Sequence, residues 1–188
     1  RFVGHIHDEA SRMVTLVEDI IRLSQLDEGD AMPTETVDLL VLSQEAVANL
    51  QDAAAKQQVS LSVGGDHAPV TGVRRLLYEV IFNLCDNAIK YNVPDGTVKV
   101  QVSSENGTSS VTVSDTGIGI APEHQSRVFE RFYRVDKSHS KEIGGTGLGL
   151  SIVKHAAAYH DAKIQLDSQL GRGTRVRVLF HPGQEARK

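Results

Sequence analysis

Three clusters in this sequence combine residue types and spacings that could do chemistry. Glu79, Asn83 and Asn87 fall at i, i+4 and i+8, which puts them on one stripe of a helix, and Lys90 and Tyr91 continue it. Asparagine competes with the helix backbone for hydrogen bonds, so two on one face need a reason. A carboxamide oxygen is a hard ligand suited to Mg²⁺, which takes few protein ligands and completes its shell with phosphate oxygens. A solvated helix face is the plain alternative, and Glu79 reads equally well as a solvated or structural carboxylate.

The second cluster is Asp115-Thr116-Gly117-Ile118-Gly119-Ile120, directly after an alternating segment. A carboxylate at a strand end can accept a hydrogen bond from an exocyclic amine such as that of adenine. The glycines would let the backbone approach a flat ring closely. A glycine-rich turn with an Asx bond is the competing reading. The third cluster is Gly144-Gly145-Thr146-Gly147-Leu148-Gly149-Leu150, opening a helix. Free N–H groups at a helix start, aided by the helix dipole, suit an anion. A flexible loop with a helix cap would look the same. No Gly-Lys-Ser/Thr follows, so this is not a Walker A loop, and no strand leads straight into it as a Rossmann fingerprint requires.

The elements that must hold these clusters can be read from periodicity. Val3, Ile6, Ala10, Met13, Val17 and Ile20 recur every three or four residues, predicting a bundle or coiled-coil helix over Phe2–Leu26. Asp8, Glu9, Arg12, Glu18 and Arg22 line its other face. Glu28-Gly29-Asp30 and Pro33 end it. An extended piece at Glu35–Asp38 leads into a helix over about Leu39–Lys56, and Val59–Val63 alternates as a strand. A further helix covers about Gly72–Tyr91. Strands at Val98–Ser103 and Ser110–Asp115 flank a turn at Glu105-Asn106-Gly107. Gly147–Tyr159 is helical, and Lys163–Asp167 and Thr174–Phe180 form a closing strand pair around Gly171-Arg172-Gly173. From about residue 38 this predicts an α+β sandwich, with helices on one face of a mostly antiparallel sheet.

Composition narrows the function classes. The 188 residues carry a net charge of −4 with Lys and Arg scattered, which argues against nucleic-acid binding. Cys85 is the one cysteine, so an internal disulfide or cysteine metal cluster is excluded, and a reducing compartment is expected. No apolar run approaches the roughly 20 residues that span a bilayer. The remaining histidines, among them His67, His124, His155, His160 and His181, show no metal spacing.

Taken together and in order, the clusters resemble the motifs of bacterial sensor histidine kinases. Residues 83–91, Asn-Leu-Cys-Asp-Asn-Ala-Ile-Lys-Tyr, resemble the N box, and Asp115 to Ile120 the G1 box. Phe129-Glu130-Arg131-Phe132-Tyr133-Arg134 resembles the F box, and Gly145 to Leu150 the G2 box. Gly171-Arg172-Gly173-Thr174 is similar to the last glycine turn of that domain. The likeness runs from about Phe2 to Phe180. It implies a Bergerat-type ATP-binding two-layer sandwich preceded by one long bundle helix. Residues 1–29 are then the second helix of a dimerisation hairpin, 30–37 a linker, 38–182 the catalytic ATP-binding domain and 183–188 a tail.

By the same resemblance, ATP and Mg²⁺ are bound here. Asn87 coordinates the metal, Asn83 sits near it and the terminal phosphates, Lys90 neutralises phosphate charge, and Tyr91 packs on the nucleotide. Asp115 reads the adenine amine, Gly117, Gly119 and Ile120 lie against the base, and Thr174 contacts it through water. Tyr133 and Arg134 belong to a mobile lid over about Ala121–Thr146, with Arg134 stabilising charge on the γ-phosphate. Thr146, Gly147, Leu148, Gly149 and Leu150 hold the phosphates. Asn83, Lys90 and Arg134 are the expected catalytic residues. Related ATPases of this fold, the first alternative, place a glutamate where Asn83 stands, and asparagine cannot activate water as a general base. A non-catalytic nucleotide-binding module is the second alternative.

The resemblance also implies what else the parent protein needs. The family phosphorylates a histidine in a His-Glu/Asp-Leu-Arg-Thr-Pro type motif on the first hairpin helix, and the sequence contains no such motif. His5 and His7 lie on the other helix and lack it. The chain is therefore expected to be a piece of a longer protein, unable to phosphorylate itself. The parent is expected to be a plasma-membrane-anchored homodimer whose partner is a response regulator, with this part cytoplasmic and touching neither membrane nor nucleic acid.

Overall fold

The computed structural model describes residues 13, 14, 17, 21, 32–135 and 146–181. Most of the expected helix Phe2–Leu26 lies outside these residues. Met13, Val14, Val17 and Ile21 are helical and expose their side chains.

Strand β1 (Glu35–Asp38) runs straight into helix α1 (Leu39–Lys56). Asp38 makes that junction: its carboxylate accepts from Leu40 N at 2.9 Å and so caps the helix. Leu39, Leu42, Ala46, Leu50 and Ala54 recur at helical spacing and are buried. After β2 (Ser60–Gly65) comes β3 (Pro69–Gly72), which pairs antiparallel with β1. Periodicity alone predicts no strand there and starts the next helix at Gly72. The observed helix α2 begins at Arg74 and ends at Lys90.

Strands β4 (Thr97–Glu105) and β5 (Thr108–Asp115) are longer than periodicity suggests and join through two residues, Asn106-Gly107. Both have positive φ, 51° and 80°, as the tightest hairpin turns require. A single turn of helix, α3 (Pro122–Gln125), precedes α4 (Gly149–Tyr159), β6 (Lys163–Gln169) and β7 (Gly173–Phe180).

The main sheet has the order β2-β4-β5-β7-β6, with β2 parallel to β4 and every other pairing antiparallel. Val100, Val113 and Val176 form one row across it and Val102, Val111 and Val178 the next, all facing the helices. Helix α2 lies between α1 and α4 and packs on β5. Its two sides explain why Leu76, Leu77, Val80, Ile81 and Leu84 are all buried. Strand alternation then does something specific for Asp115. It lies two residues beyond Val113, so it shares the helix-facing side, opposite Val98. The period that builds the core delivers a carboxylate to the covered end of the sheet.

Candidate functional site

Asp115 is held by backbone. Its Oδ1 accepts from Gly117 N at 2.8 Å and from Thr174 N at 3.1 Å. Among the described residues no group donates to Oδ2, which remains available to a ligand. Burial pushes the carboxyl above its ordinary range, and the two N–H bonds oppose that rise. Gly119 has φ +67°, and a Cβ there would stand 2.0 Å from Gln169 O. A side chain at Gly117 would meet Tyr91 O at 2.3 Å. The loop is thus pressed between the end of α2 and the β6–β7 turn, and Ile118 N donates to Tyr91 O at 3.0 Å.

Residues outside the sequence-derived set hold this end together. Ser168 Oγ accepts from Ile120 N at 2.8 Å and lies 2.8 Å from Thr174 Oγ1. Gln125 Nε2 donates to Ile120 O at 2.9 Å and Ser168 O at 2.8 Å. Asn92 Nδ2 donates to Ala88 O at 3.1 Å and Thr97 O at 3.2 Å, and Thr116 Oγ1 donates to Asn92 Oδ1 at 3.3 Å. Ser168 had a signal in the sequence: it occupies the apolar register of Ile164 and Leu166, where a hydroxyl needs a partner.

The asparagine stripe is real and is oriented. Asn83 Nδ2 donates to Glu79 O at 2.8 Å, and Asn87 Nδ2 donates to Asn83 O at 2.9 Å. Each amide is turned so that its oxygen points away from its own helix. Glu79 is buried rather than solvated, with Arg75 Nη1 4.0 Å from its Oε1. Gly149, the first residue of α4, packs on the stripe: a Cβ would stand 3.0 Å from Asn83 Oδ1 and 3.3 Å from Asn87 Nδ2. No side chain caps α4 at Leu148, so its first N–H groups are presented beside the amides. Leu148 is buried with Ile152, Leu150 packs on the main core, and Leu148 N donates to Thr146 Oγ1 at 3.3 Å.

Lys90 forms an ion pair with Asp86 one turn back on α2. Tyr133 OH lies 2.7 Å from His124 Nδ1, and the Arg127 guanidinium sits 4.3 Å above its ring. Phe132 N donates to Gly147 O at 2.9 Å, fastening residues 129–134 to the approach to α4. Arg134 is beside Gly147, and its Nε and Nη2 are buried with no hydrogen-bond partner among the described residues. Most of the expected lid from Ala121 is described, but residues 136–145 are not. Orphaned guanidinium donors, uncapped helix N–H groups and amide oxygens converge at one end, and a carboxylate oxygen and a glycine-walled slot at the other. A nucleoside triphosphate fits that donor set. Among the described residues no three His, Cys, Asp or Glu side chains cluster as a metal cage.

Comparison with known proteins shows the family. Residues 72–184 match the family described as histidine kinase-, DNA gyrase B- and HSP90-like ATPase, whose domain binds ATP. The chain is 41% identical over 177 residues to the sensor-like histidine kinase SenX3 of Mycolicibacterium smegmatis, covering 93% of this chain and 46% of that protein. It thus spans less than half the length of that relative. The mycobacterial sensor histidine kinase MprB superposes with a TM-score of 0.69 at 26% identity, over 79% of this chain and 97% of that one. Full-length ShkA in complex with AMPPNP gives a TM-score of 0.83 at 22% identity, over 99% of this chain and 39% of that one. The chain belongs to the histidine kinase-, DNA gyrase B- and HSP90-like ATPase family, and its ATP-binding catalytic domain is of the sensor histidine kinase kind.

Proposed function

We propose that residues 38–182 bind Mg²⁺-ATP and direct its γ-phosphate to a histidine on a hairpin helix outside this chain, from which a response-regulator aspartate receives it. When bound, Mg²⁺-ATP supplies the phosphoryl group and part of the neutralising charge. The chain's own residues bind and orient. Asp115 Oδ2 accepts from the adenine amine, and Thr174 contacts the base through water. Gly117, Gly119 and Ile120 lie against the ring, and Tyr91 packs on the nucleotide. Asn87 Oδ1 serves as the protein ligand to the metal, with Asn83 beside it. Thr146, Gly147, Leu148, Gly149 and Leu150 hold the phosphates at the start of α4. Arg134, carried with Tyr133 on the lid, brings its donors to the γ-phosphate, where charge builds during transfer. Lys90 exchanges Asp86 for phosphate.

The observation that carries this reading is the packing of Gly149 on Asn83 and Asn87. It brings a metal-suited stripe and an anion-suited helix start to one point. The presence of asparagine at position 83, where an ATPase of this fold needs a general base, supports phosphotransfer over hydrolysis. Residues 1–29 are read as the second hairpin helix, and the parent as a membrane-anchored homodimer. Among the described residues no helix is long and apolar enough to cross a membrane.

Phosphotransfer in trans tests the proposal. Radiolabelled ATP and this chain should label a supplied hairpin bearing the acceptor histidine, while the chain alone stays unlabelled. Label on the chain alone that disappears in His5→Ala or His7→Ala would overturn the division of labour. ATP binding without transfer to any supplied hairpin would favour a non-catalytic module.

A further inference from the structure

The Ser168 hydroxyl has three polar neighbours and one proton. Ile120 N is 2.8 Å away and can only donate to it. Gly173 O is 3.0 Å away and can only accept from it. Thr174 Oγ1, at 2.8 Å, can do either. A hydroxyl offers one donor and two lone pairs. One assignment satisfies all three contacts. Ile120 N donates to Ser168 Oγ, Ser168 donates to Gly173 O, and Thr174 donates to Ser168. The opposite assignment, with Ser168 donating to Thr174, sets two lone-pair oxygens against each other at Gly173.

The consequence falls on Thr174. With its proton turned to Ser168, its oxygen presents only lone pairs to the slot beside Asp115. Its backbone N–H is already committed to Asp115 Oδ1 at 3.1 Å. Asp115 and Thr174 lie one step beyond the Ser114–Arg175 pair, so their side chains fall on one face of the sheet, and Asp115 Oδ2 and Thr174 Oγ1 are then two acceptors on that face. Such a pair welcomes an amine, or a water donating to it, and repels a carbonyl oxygen.

We infer that Ser168 is a specificity-determining positioning residue, which locks the Thr174 hydroxyl as an acceptor and thereby selects 6-amino over 6-oxo purines. The inference rests on the reading of Asp115 and Thr174 as the base-facing pair. Inosine triphosphate is the discriminating probe, because it carries a carbonyl where ATP carries the amine. Without Ser168, the Thr174 hydroxyl can rotate and donate towards that carbonyl, through the bridging water.

The test is the ratio of ATP to inosine triphosphate affinity, measured by calorimetry on the full chain. Both ligands sample the same folded fraction, so a general loss of stability leaves the ratio unmoved. Wild type should prefer ATP. Ser168→Ala should lower the preference by about tenfold, the scale of one net hydrogen bond. Thr174→Val should lower it similarly from the other side of the same contact, and the double variant should fall no further than Thr174→Val alone. Equal weakening of both nucleotides in Ser168→Ala, an unchanged ratio in Thr174→Val, or multiplying effects in the double variant would overturn the role of Ser168. A wild-type chain that binds no ATP would overturn the reading of Asp115, and this inference with it.

Discussion

At the Asp115 end of the site, the polar groups other than Asp115 Oδ2 are already engaged. Oδ1 takes two backbone N–H bonds, Ser168 joins Ile120 to the β6–β7 turn, and Gln125 ties the same two segments again. At the Asn87 end, groups of the right chemistry are present but otherwise occupied or unpartnered. Lys90 is paired with Asp86, Tyr133 with His124, and two nitrogens of Arg134 are buried without partners. On the proposed reading the Asp115 end takes the base and is pre-organised, so binding there would order little. The Asn87 end would exchange existing partners for the phosphates, or gain partners it lacks. Two buried donors left without partners are costly, roughly 1–3 kcal/mol each, so a ligand that satisfies them gains correspondingly.

This contrast can be broken by substitution. The largest effect is expected for Arg134→Ala, which should reduce phosphotransfer in trans by about 10²–10³-fold, the range for removing one donor to developing charge. Adenosine affinity should hardly change. Loss of adenosine binding in that variant would mean the two ends are not separable.

Asp115→Ala comes next, with ATP and adenosine affinity both falling by roughly 10–100-fold, as for a hydrogen bond to a charged group. Asp115→Asn sharpens the point. The raised carboxyl binds protons more readily folded than unfolded, so the folded state loses stability as pH rises from the ordinary aspartate range through the raised value. At neutral pH the carboxylate therefore opposes folding, and Asp115→Asn should raise the melting temperature while weakening ATP binding. A lower melting temperature would contradict that trade between function and stability.

Asp86→Asn should have a smaller effect at the other end. Freed from its partner, Lys90 should tighten ATP binding by about a few-fold, the scale of a partly exposed ion pair, and leave adenosine unaffected. Weaker binding would show that Asp86 positions Lys90 rather than competing for it.

His160 is a control remote from the phosphate groups. Its Nε2 accepts from Val73 N at 3.0 Å, and its Nδ1 donates to Ala156 O at 2.7 Å, so the ring is neutral. Burial holds its pKa below the ordinary value, opposed by the bond to Ala156. The contribution is present above the unfolded value of about 6.5 and lost as pH falls through the depressed folded value. Acid melting curves should therefore show a decline that His160→Gln flattens. Identical slopes would remove His160 as its source.

The sequence was most legible where geometry leaves little choice. Asp115, Gly117 and Gly119 could be found because a strand end, a close backbone approach and a positive φ demand those types in that order. The asparagine stripe was legible because its spacing is helical. Strand β3 was not, since Pro69–Gly72 is short, begins with proline and owes its pairing to β1, more than thirty positions earlier. Gln125 was hidden for the same reason, and Ser168, though marked by its place in an apolar register, gave no clue to its partners: both residues' partners are brought by tertiary packing. The Asp86–Lys90 pair had the right spacing to be seen. What sequence cannot rank is whether the lysine prefers its neighbour or a phosphate.

The most direct test of the account is a comparison of Mg²⁺-ATP affinity, by calorimetry or a fluorescent analogue, between wild type, Asn87→Ala and Asp115→Ala. Both variants should bind more weakly. Only Asn87→Ala should lose the Mg²⁺ dependence, and only Asp115→Ala should lose adenosine. Unchanged affinity in both variants would contradict the site.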